Sequence, residues 1–118
     1  MNEREKDVIR LQHILEAINA IDDFISHKQF QDFKDDQLLQ SAVIRQFEII
    51  GEASRNISPN LKEQNADIPR EQIAGLRNLL IHEYFRVDVQ TIWESYRRDL
   101  PAFKSKVESL LNQLKQHD

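Results

Sequence analysis

The sequence lacks cysteine, and it contains only 2 glycines and 3 prolines among its 118 residues. The absence of cysteine excludes disulfide bonds, thiolate metal ligands and cysteine nucleophiles. Glycine and proline fill the turns of sheet proteins, so their shortage favours long helices over short strands. Long apolar runs are also lacking, which excludes a membrane-spanning helix. The chain is charged from Glu3 onward and has no signal-peptide core, so we expect a cytoplasmic protein without membrane contact.

An excess of positive charge is missing as well. Lysine and arginine total 16 against 20 aspartates and glutamates, which gives a net charge of -4. Proteins that bind nucleic acid usually carry a basic excess. A nucleic-acid partner would therefore need a local basic patch on this chain, and dimerisation could assemble one.

Apolar residues recur at three- and four-residue steps along much of the chain, which is the pattern of helices with one buried stripe. We therefore predict an all-α fold, an up-and-down bundle of four to five helices in a single domain over residues 1–118. Capping residues and prolines set the expected boundaries. These signals predict a first helix from about Glu3 to Ser26, followed by a polar loop over 27–34 in which Phe30 and Phe33 fold back onto the core. A second long helix is predicted from Asp35 or Asp36 to about Ile57, and a short turn of helix starts at Pro59. Three further helices are predicted, one reaching about Ile81, one capped by Asp88 and a last one after Pro101.

The second long helix is predicted to be apolar on two sides. One stripe contains Leu39, Val43, Phe47 and Ile50, and the other contains Leu38, Ala42, Ile49 and Ala53. Such a helix either lies at the centre of its bundle or also packs against another subunit. Gly51 lies inside this helix, where glycine costs about 1 kcal/mol relative to alanine. We interpret it as a point of close packing by a neighbouring helix.

Most catalytic patterns are missing. Gly51 and Gly75 stand alone, so the chain has no glycine-rich phosphate loop and no nucleophile elbow. Its 4 histidines are far apart in sequence, so no pair has metal-ligand spacing. We accordingly expect neither a metal site nor a cofactor. Glu48 and Glu52 are one helical turn apart, but the nearby Arg45 favours a solvated helix surface over a carboxylate pair.

The remaining candidate for chemistry is the segment 77–84, which contains Arg77, Asn78, His82 and Tyr84. Histidine titrates near neutrality and can take or give a proton. Arginine can hold a phosphate through two parallel hydrogen bonds and offset charge in a transition state. Tyrosine can hydrogen-bond to a base or stack on it. These residue types suit the cleavage of a phosphodiester.

The same residues also permit a structural interpretation. His82 near a helix end can cap backbone carbonyls and favour the negative end of the helix dipole, and Arg77 can pair with a surface acid such as Glu71. Positions five apart on a helix differ by about 140° in direction, so Arg77 and His82 do not share a face of one straight helix. Either the helix ends before His82, or the arginine side chain reaches around it. Residue types alone leave both interpretations open.

The chain resembles a known family over about residues 7–111. Its segment 77–84 resembles the Arg-x4-His-x-Tyr signature of HEPN domains, specifically that of HepT-like toxins. The flanking sequence is also similar, with Ala42-Val43-Ile44-Arg45 before Ile50-Gly51-Glu52-Ala53, Ile68-Pro69 before Ile73-Ala74-Gly75-Leu76-Arg77-Asn78, and Trp93 and Asp99-Leu100-Pro101 downstream. Arg70 departs from the pattern, because the family usually carries tryptophan there. This position should affect packing or an interface more than the chemistry.

The resemblance implies a helical-bundle ribonuclease toxin that needs no metal. It implies a homodimer in which two signature motifs face a shared cleft, which would give the second apolar stripe a partner. It also implies a nucleotidyltransferase antitoxin that transfers AMP to Tyr84. Arg77 and His82 are then catalytic, Asn78 and Tyr84 support them, and the substrate is an RNA, either a tRNA or an mRNA.

Two rival hypotheses stay open at this point. In the first, the chain is a non-catalytic HEPN binding module that docks a nucleotidyltransferase, and the signature is a docking or modification site. In the second, it is a structural or oligomerisation bundle in which Arg77 and His82 are ordinary surface groups. RNA cleavage separates the toxin from both rivals. Transfer of AMP to Tyr84 separates the binding module from the structural bundle.

Overall fold

The computed structural model describes residues 1–65 and 88–116 of the chain. Within these ranges the protein forms α-helices and no strand, which confirms the predicted all-α bundle. The predicted helix that reaches about Ile81 lies outside the described residues. None of the described helices is both long and apolar enough to cross a membrane. The helices are α1 (Glu3–Ile25), α2 (Phe30–Lys34), α3 (Gln37–Arg55), α4 (Pro59–Gln64), α5 (Val89–Arg98) and α6 (Leu100–Gln116).

Side-chain caps set the starts of the longer helices. Asp36, rather than Asp35, caps α3, because its carboxylate accepts a hydrogen bond from the Leu39 amide at 3.0 Å. Asp88 caps α5 by accepting hydrogen bonds from two amides of the first turn. Each cap satisfies amides that have no acceptor inside their own helix. The predicted start of α5 is thereby confirmed, and the choice left open for α3 is decided.

Helix α2 replaces part of the predicted loop, so the loop prediction is wrong over that turn. The helix forms because the Asp32 carboxylate accepts a hydrogen bond from the Gln29 amide at 2.9 Å, which caps its start. The inward folding of the two phenylalanines is confirmed, since Phe33 is fully buried and Phe30 is partly buried against the core. Their ring centroids lie 5.6 and 5.9 Å, respectively, from that of Trp93 on α5.

Pro101 marks the corner between α5 and α6. Helix α5 ends at Arg98 and α6 begins at Leu100, so Pro101 lies in the first turn of α6. Proline cannot donate a backbone hydrogen bond and clashes with the preceding turn inside a helix. The first turn tolerates it, because amides there have no intrahelical acceptor. The predicted break is therefore confirmed, but the last helix begins at Leu100 and not after Pro101.

The core lies where α1 packs against α3 and α6, while α5 packs against α6 and α2. Each fully buried aliphatic or aromatic side chain stabilises the fold by roughly 1.5–3 kcal/mol. The largest contributions come from Leu11, Ile14, Ile18, Ile21 and Ile25 of α1, Phe33 of α2, Val43, Phe47 and Ile50 of α3, Ile92 of α5, and Phe103 and Leu110 of α6.

The second apolar stripe of α3 is covered only at one end. Ala53 is buried near the end of the helix, whereas Leu38 near its start is 82% exposed. Ala42 and Ile49 lie between these extremes and are half-buried. Gly51 is buried, as expected for a point of close packing. Within the single chain, the first turn of α3 therefore presents an uncovered apolar side chain.

Candidate functional site

The predicted site residues Arg77, Asn78, His82 and Tyr84 lie outside the described residues. The described chain stops at Asn65 and resumes at Asp88, so the structure shows how the helices that precede and follow the candidate segment in the sequence are anchored. Over residues 1–65 and 88–116 there is no cluster of three or more histidines or carboxylates that could hold a metal ion. The roles of the four residues stay predictions.

A buried carboxylate holds the first anchor. Asp7 on α1 is 5% exposed, and its oxygens accept hydrogen bonds from the Ser58 amide at 2.8 Å and the Ser58 hydroxyl at 2.6 Å. Ser58 is the N-cap of α4, and its hydroxyl oxygen also accepts from the Leu61 amide at 3.3 Å. A buried carboxylate is tolerated only when such bonds replace its lost water. Helix α4, which precedes the candidate segment, is therefore fixed to α1.

Asp88 holds the second anchor at the start of α5. In addition to its bonds with backbone amides, its carboxylate accepts a hydrogen bond from the Thr91 hydroxyl at 2.8 Å. This side-chain bond, followed by the bond from the Thr91 amide, lowers the pKa of Asp88 below its ordinary value. The ionised carboxylate also favours the positive end of the helix dipole. Helix α5 thus has a fixed start only four positions after Tyr84 in the sequence.

One surface cleft, of about 440 Å³, lies between α1 and α3, and we call it the α1–α3 cleft. Its ionisable side chains are Arg10, His13, Arg45, Glu48 and Glu52. Arg45 Nη1 lies 3.5 Å from Glu48 Oε2, and the arginine side chain is 68% exposed. Such an exposed pair contributes little free energy. Among the described residues of this cleft, the two arginines are matched by two glutamates, as expected of a solvated helix surface.

A second cleft, of about 500 Å³, lies where the end of α1 meets the corner between α5 and α6, and we call it the corner cleft. Lys104 Nζ lies 3.8 Å from Asp22 Oδ2 inside it. The rings of Trp93 and Tyr96 have centroids 5.9 Å apart and planes tilted by 52°. The cleft therefore combines an aromatic wall of Trp93 and Tyr96 with the charged residues Asp22, Lys28, Arg97 and Lys104.

Tyr96 is a hydrogen-bond donor in the corner cleft. Burial raises its pKa, and the negative charge of Asp22 raises it further. The Tyr96 hydroxyl donates a hydrogen bond to the Asp22 carboxylate, while the nearby Arg97 guanidinium acts on the pKa in the opposite direction. The hydroxyl therefore keeps its proton near neutral pH.

The sequence interpretation missed the corner cleft, because its residues come from α1, the turn after it, α5 and α6. A local signal was present: Trp93, Tyr96 and Arg97 are three and four positions apart, a spacing that places side chains on one face of a helix. Hydrophobic periodicity alone places Trp93 and Tyr96 on the apolar stripe of α5. The neighbouring cation distinguishes this stretch of α5 from an ordinary buried stripe.

Comparison with known proteins decides the family. The sequence profile described as "Ribonuclease HepT-like" matches residues 14–110. The chain belongs to the HepT-like ribonuclease family. A HepT-like relative from Thermococcus cleftensis, named probable ribonuclease HepT, is 45% identical over 100 residues, which cover 85% of this chain and 91% of the relative. A protein from Caldanaerobacter subterraneus, named as a candidate RNase, is 36% identical over 105 residues, which cover 89% of this chain and 94% of the relative. No solved structure matches the chain.

Membership in the HepT-like family confirms the resemblance found in the sequence. It identifies the protein as a ribonuclease by family, with RNA as the substrate class. The matched range 14–110 contains the whole candidate segment 77–84 and every residue of the corner cleft.

Proposed function

We propose that the protein is the toxin of a HEPN and nucleotidyltransferase toxin–antitoxin pair, a metal-independent endoribonuclease that is neutralised by transfer of AMP to Tyr84. The observation that carries the proposal is the family match over residues 14–110, which contains Arg77, His82 and Tyr84 in signature order. The two anchors at Ser58 and Asp88 add support. They fix the helices on either side of the segment that would carry the chemistry.

The reaction needs no metal-bound water, because RNA supplies its own nucleophile. His82 takes the proton of a ribose 2'-hydroxyl, and the freed oxygen attacks the adjacent phosphorus. The bond from phosphorus to the 5'-oxygen of the next nucleotide breaks, and that oxygen receives a proton from a protonated histidine. The products are a 2',3'-cyclic phosphate and a 5'-hydroxyl. Arg77 offsets the charge that builds up on the phosphoryl oxygens, and Asn78 orients His82 or the phosphate.

Transfer of AMP to Tyr84 explains how this activity would be silenced. Unmodified Tyr84 positions the RNA by hydrogen bonding or stacking. The added group carries a negative charge and the bulk of a nucleotide, two positions from His82 in sequence. Its charge repels the phosphates of RNA, and its bulk occupies space that the substrate needs.

A second copy of the chain would complete the site. Leu38 is 82% exposed, and the half-buried Ala42 and Ile49 continue the same apolar surface along α3. A homodimer that covers this stripe removes apolar area from water. Leu38→Glu is expected to convert the dimer to monomer in analytical ultracentrifugation, whereas Gln37→Glu, which adds the same charge at the neighbouring exposed position, leaves it intact. A monomeric wild-type protein would contradict the homodimer.

The decisive test of activity is RNA cleavage in EDTA by the purified protein without its antitoxin. We expect His82→Ala and Arg77→Ala to lose at least about 100-fold in rate. The matched control is Arg98→Ala, which removes an exposed arginine paired with Glu94 at 3.3 Å and should leave the rate unchanged. Loss of wild-type activity in EDTA would contradict metal independence. Equal activity in all variants would contradict the assigned residues.

The modification has its own test. Co-expression with the nucleotidyltransferase, followed by intact-mass measurement, should show one added AMP on the wild-type chain. Because the chain has only 2 tyrosines, Tyr84→Phe should abolish the addition and Tyr96→Phe should retain it. Addition that survives Tyr84→Phe would overturn the assignment. Modification of a chain that cuts no RNA would favour the non-catalytic binding module.

A further inference from the structure

The corner cleft concentrates positive charge on an acidic protein. Among the described residues, its lining contains three bases, Lys28, Arg97 and Lys104, against the single acid Asp22, whereas the whole chain has a net charge of -4. Lys104 is paired with Asp22 at 3.8 Å. Neither Lys28 nor Arg97 forms an ion pair with any residue of the ranges 1–65 and 88–116. Two cations are thus available to an anionic ligand.

An aromatic ring accompanies these cations. Tyr96 is partly exposed in the cleft, and Trp93, which is 8% exposed, packs behind it. A ring that can stack on a base, beside cations that can hold a phosphate, is the combination that binds single-stranded nucleic acid. The Asp22 carboxylate adds an acceptor for a ribose hydroxyl or a base amino group. These groups fit a nucleotide better than a simple anion.

The size and position of the cleft agree with such a ligand. Its volume of about 500 Å³ lies in the range of small-ligand sites, which is roughly 300–1,000 Å³. The first turn of the 17-residue helix α6 lines one side through Leu100 and Pro101. The positive end of its dipole adds to the attraction that Arg97 exerts on an anion.

We propose that the corner cleft binds one nucleotide unit, with its base against Tyr96 and its phosphate at Arg97, Lys28 and Lys104. The identity of the natural ligand as an RNA strand rests on the proposed function, but the described residues that line the cleft are all separate from the candidate segment. Helix α5 connects the two regions, since it starts at the Asp88 anchor and reaches Arg97 roughly 14 Å further along its axis. The cleft therefore holds the RNA through residues other than those proposed to cut it.

Binding can be followed with the full chain, because Trp93 is its single tryptophan and lines the cleft. The probes are guanosine monophosphate and a short 2'-O-methyl RNA, which lacks the free hydroxyl needed for cleavage. Arg97→Ala should weaken the affinity for each probe by about tenfold, because it removes charge-assisted hydrogen bonds to phosphate. It should also reduce the number of counterions released on RNA binding, measured from the salt dependence of the affinity, by about one. Arg97 is preferred to Lys28, which also borders acidic residues around α2.

Arg98→Ala is the matched control, because the neighbouring arginine carries the same charge, is paired with Glu94 and does not line the cleft. It should leave both affinities unchanged. If Arg97→Ala weakens the binding of the RNA but not that of guanosine monophosphate, the result supports the cleft and identifies an RNA strand, rather than a free nucleotide, as its ligand. Equal affinities in Arg97→Ala and Arg98→Ala overturn the proposal. So does saturable binding that leaves Trp93 fluorescence unchanged.

The outcome is separable from that of the ribonuclease assay. If the wild type binds the 2'-O-methyl RNA through Arg97 but cuts no RNA, the proposed function fails and the cleft stands. If the wild type cuts RNA and Arg97→Ala binds and cuts equally well, the cleft fails and the function stands. Folding of each variant is checked by circular dichroism, so that loss of binding is not confused with loss of structure.

Discussion

Two of the three aspartates on helix α1, Asp7 and Asp22, have different surroundings in the fold. Asp7, near the start of the helix, is 5% exposed, and it accepts hydrogen bonds from the amide and hydroxyl of Ser58. Asp22, near the end of the helix, has a side chain that is 40% exposed and lies 3.8 Å from Lys104 Nζ. It also accepts a hydrogen bond from Tyr96. One carboxylate is enclosed by the fold, and the other opens onto a cleft.

The two carboxylates differ in whether water can take the place of their present partners. Water cannot replace the bonds between Ser58 and Asp7, so the fold depends on them. Water can replace the contacts of Asp22, so its ion pair contributes little to folding. We therefore expect changes at Asp7 to alter stability and changes at Asp22 to alter what the corner cleft binds.

The largest expected effect is that of Asp7→Ala on stability. The substitution leaves the amide and the hydroxyl of Ser58 without their acceptor, and each unsatisfied buried group costs about 1–3 kcal/mol. The free energy of unfolding should fall by roughly 2–4 kcal/mol. Urea denaturation followed by circular dichroism measures this change.

Glu3→Ala is the matched control for Asp7→Ala. Glu3 also lies on α1 and accepts a hydrogen bond from a residue of α4, Asn60, at 3.2 Å, but this contact is exposed. Its loss should change the free energy of unfolding by less than about 0.5 kcal/mol. If the two variants lose the same free energy of unfolding, the buried contact of Asp7 stabilises the fold no more than the exposed contact of Glu3.

The sequence was sufficient for most of the fold, because the helices depend on local signals. The apolar stripe of α1, the cap at Asp88 and the break at Pro101 all act within a few residues. Helix α2 was missed for a physical reason. Its five residues contain too little periodicity to distinguish a turn of helix from a loop, and burial of Phe33 among residues distant in sequence adds to the effect of its cap.

The candidate functional sites, like the helices, include one that the sequence predicts and one that it does not. The segment 77–84 was identified through an ordered set of residues, and the family match confirms the family to which that set belongs. The corner cleft could not be predicted, because its charge results from bringing together α1, α5 and α6. Sequence gives the overall charge directly, but a local excess of cations such as Lys28 and Lys104 emerges only when distant segments pack.

Asp22→Asn should have a smaller effect, seen in binding. The change removes the negative charge that Asp22 contributes to the corner cleft and keeps an acceptor oxygen. We expect guanosine monophosphate and the 2'-O-methyl RNA to bind about threefold more tightly, which corresponds to a typical partly exposed ion pair. The control is Asp23→Asn, because Asp23 is exposed and does not line the cleft. Weaker binding of both probes by Asp22→Asn would contradict a cleft that attracts phosphate.

The smallest expected effect is on the titration of Tyr96, whose pKa is raised first by burial and then by Asp22. In Asp22→Asn the pKa of Tyr96 should fall part of the way toward its ordinary value, because burial remains. Tyrosinate absorbance in a Tyr84→Phe background reports Tyr96 alone, since the chain has 2 tyrosines.

The folded state holds the proton of the Tyr96 hydroxyl more tightly than the unfolded chain does. Its contribution to stability is therefore fully present below the unfolded pKa of about 10 and is lost as the pH rises through the folded pKa. Asp22→Asn should weaken this alkaline dependence, and an unchanged titration would contradict the contact between Asp22 and Tyr96.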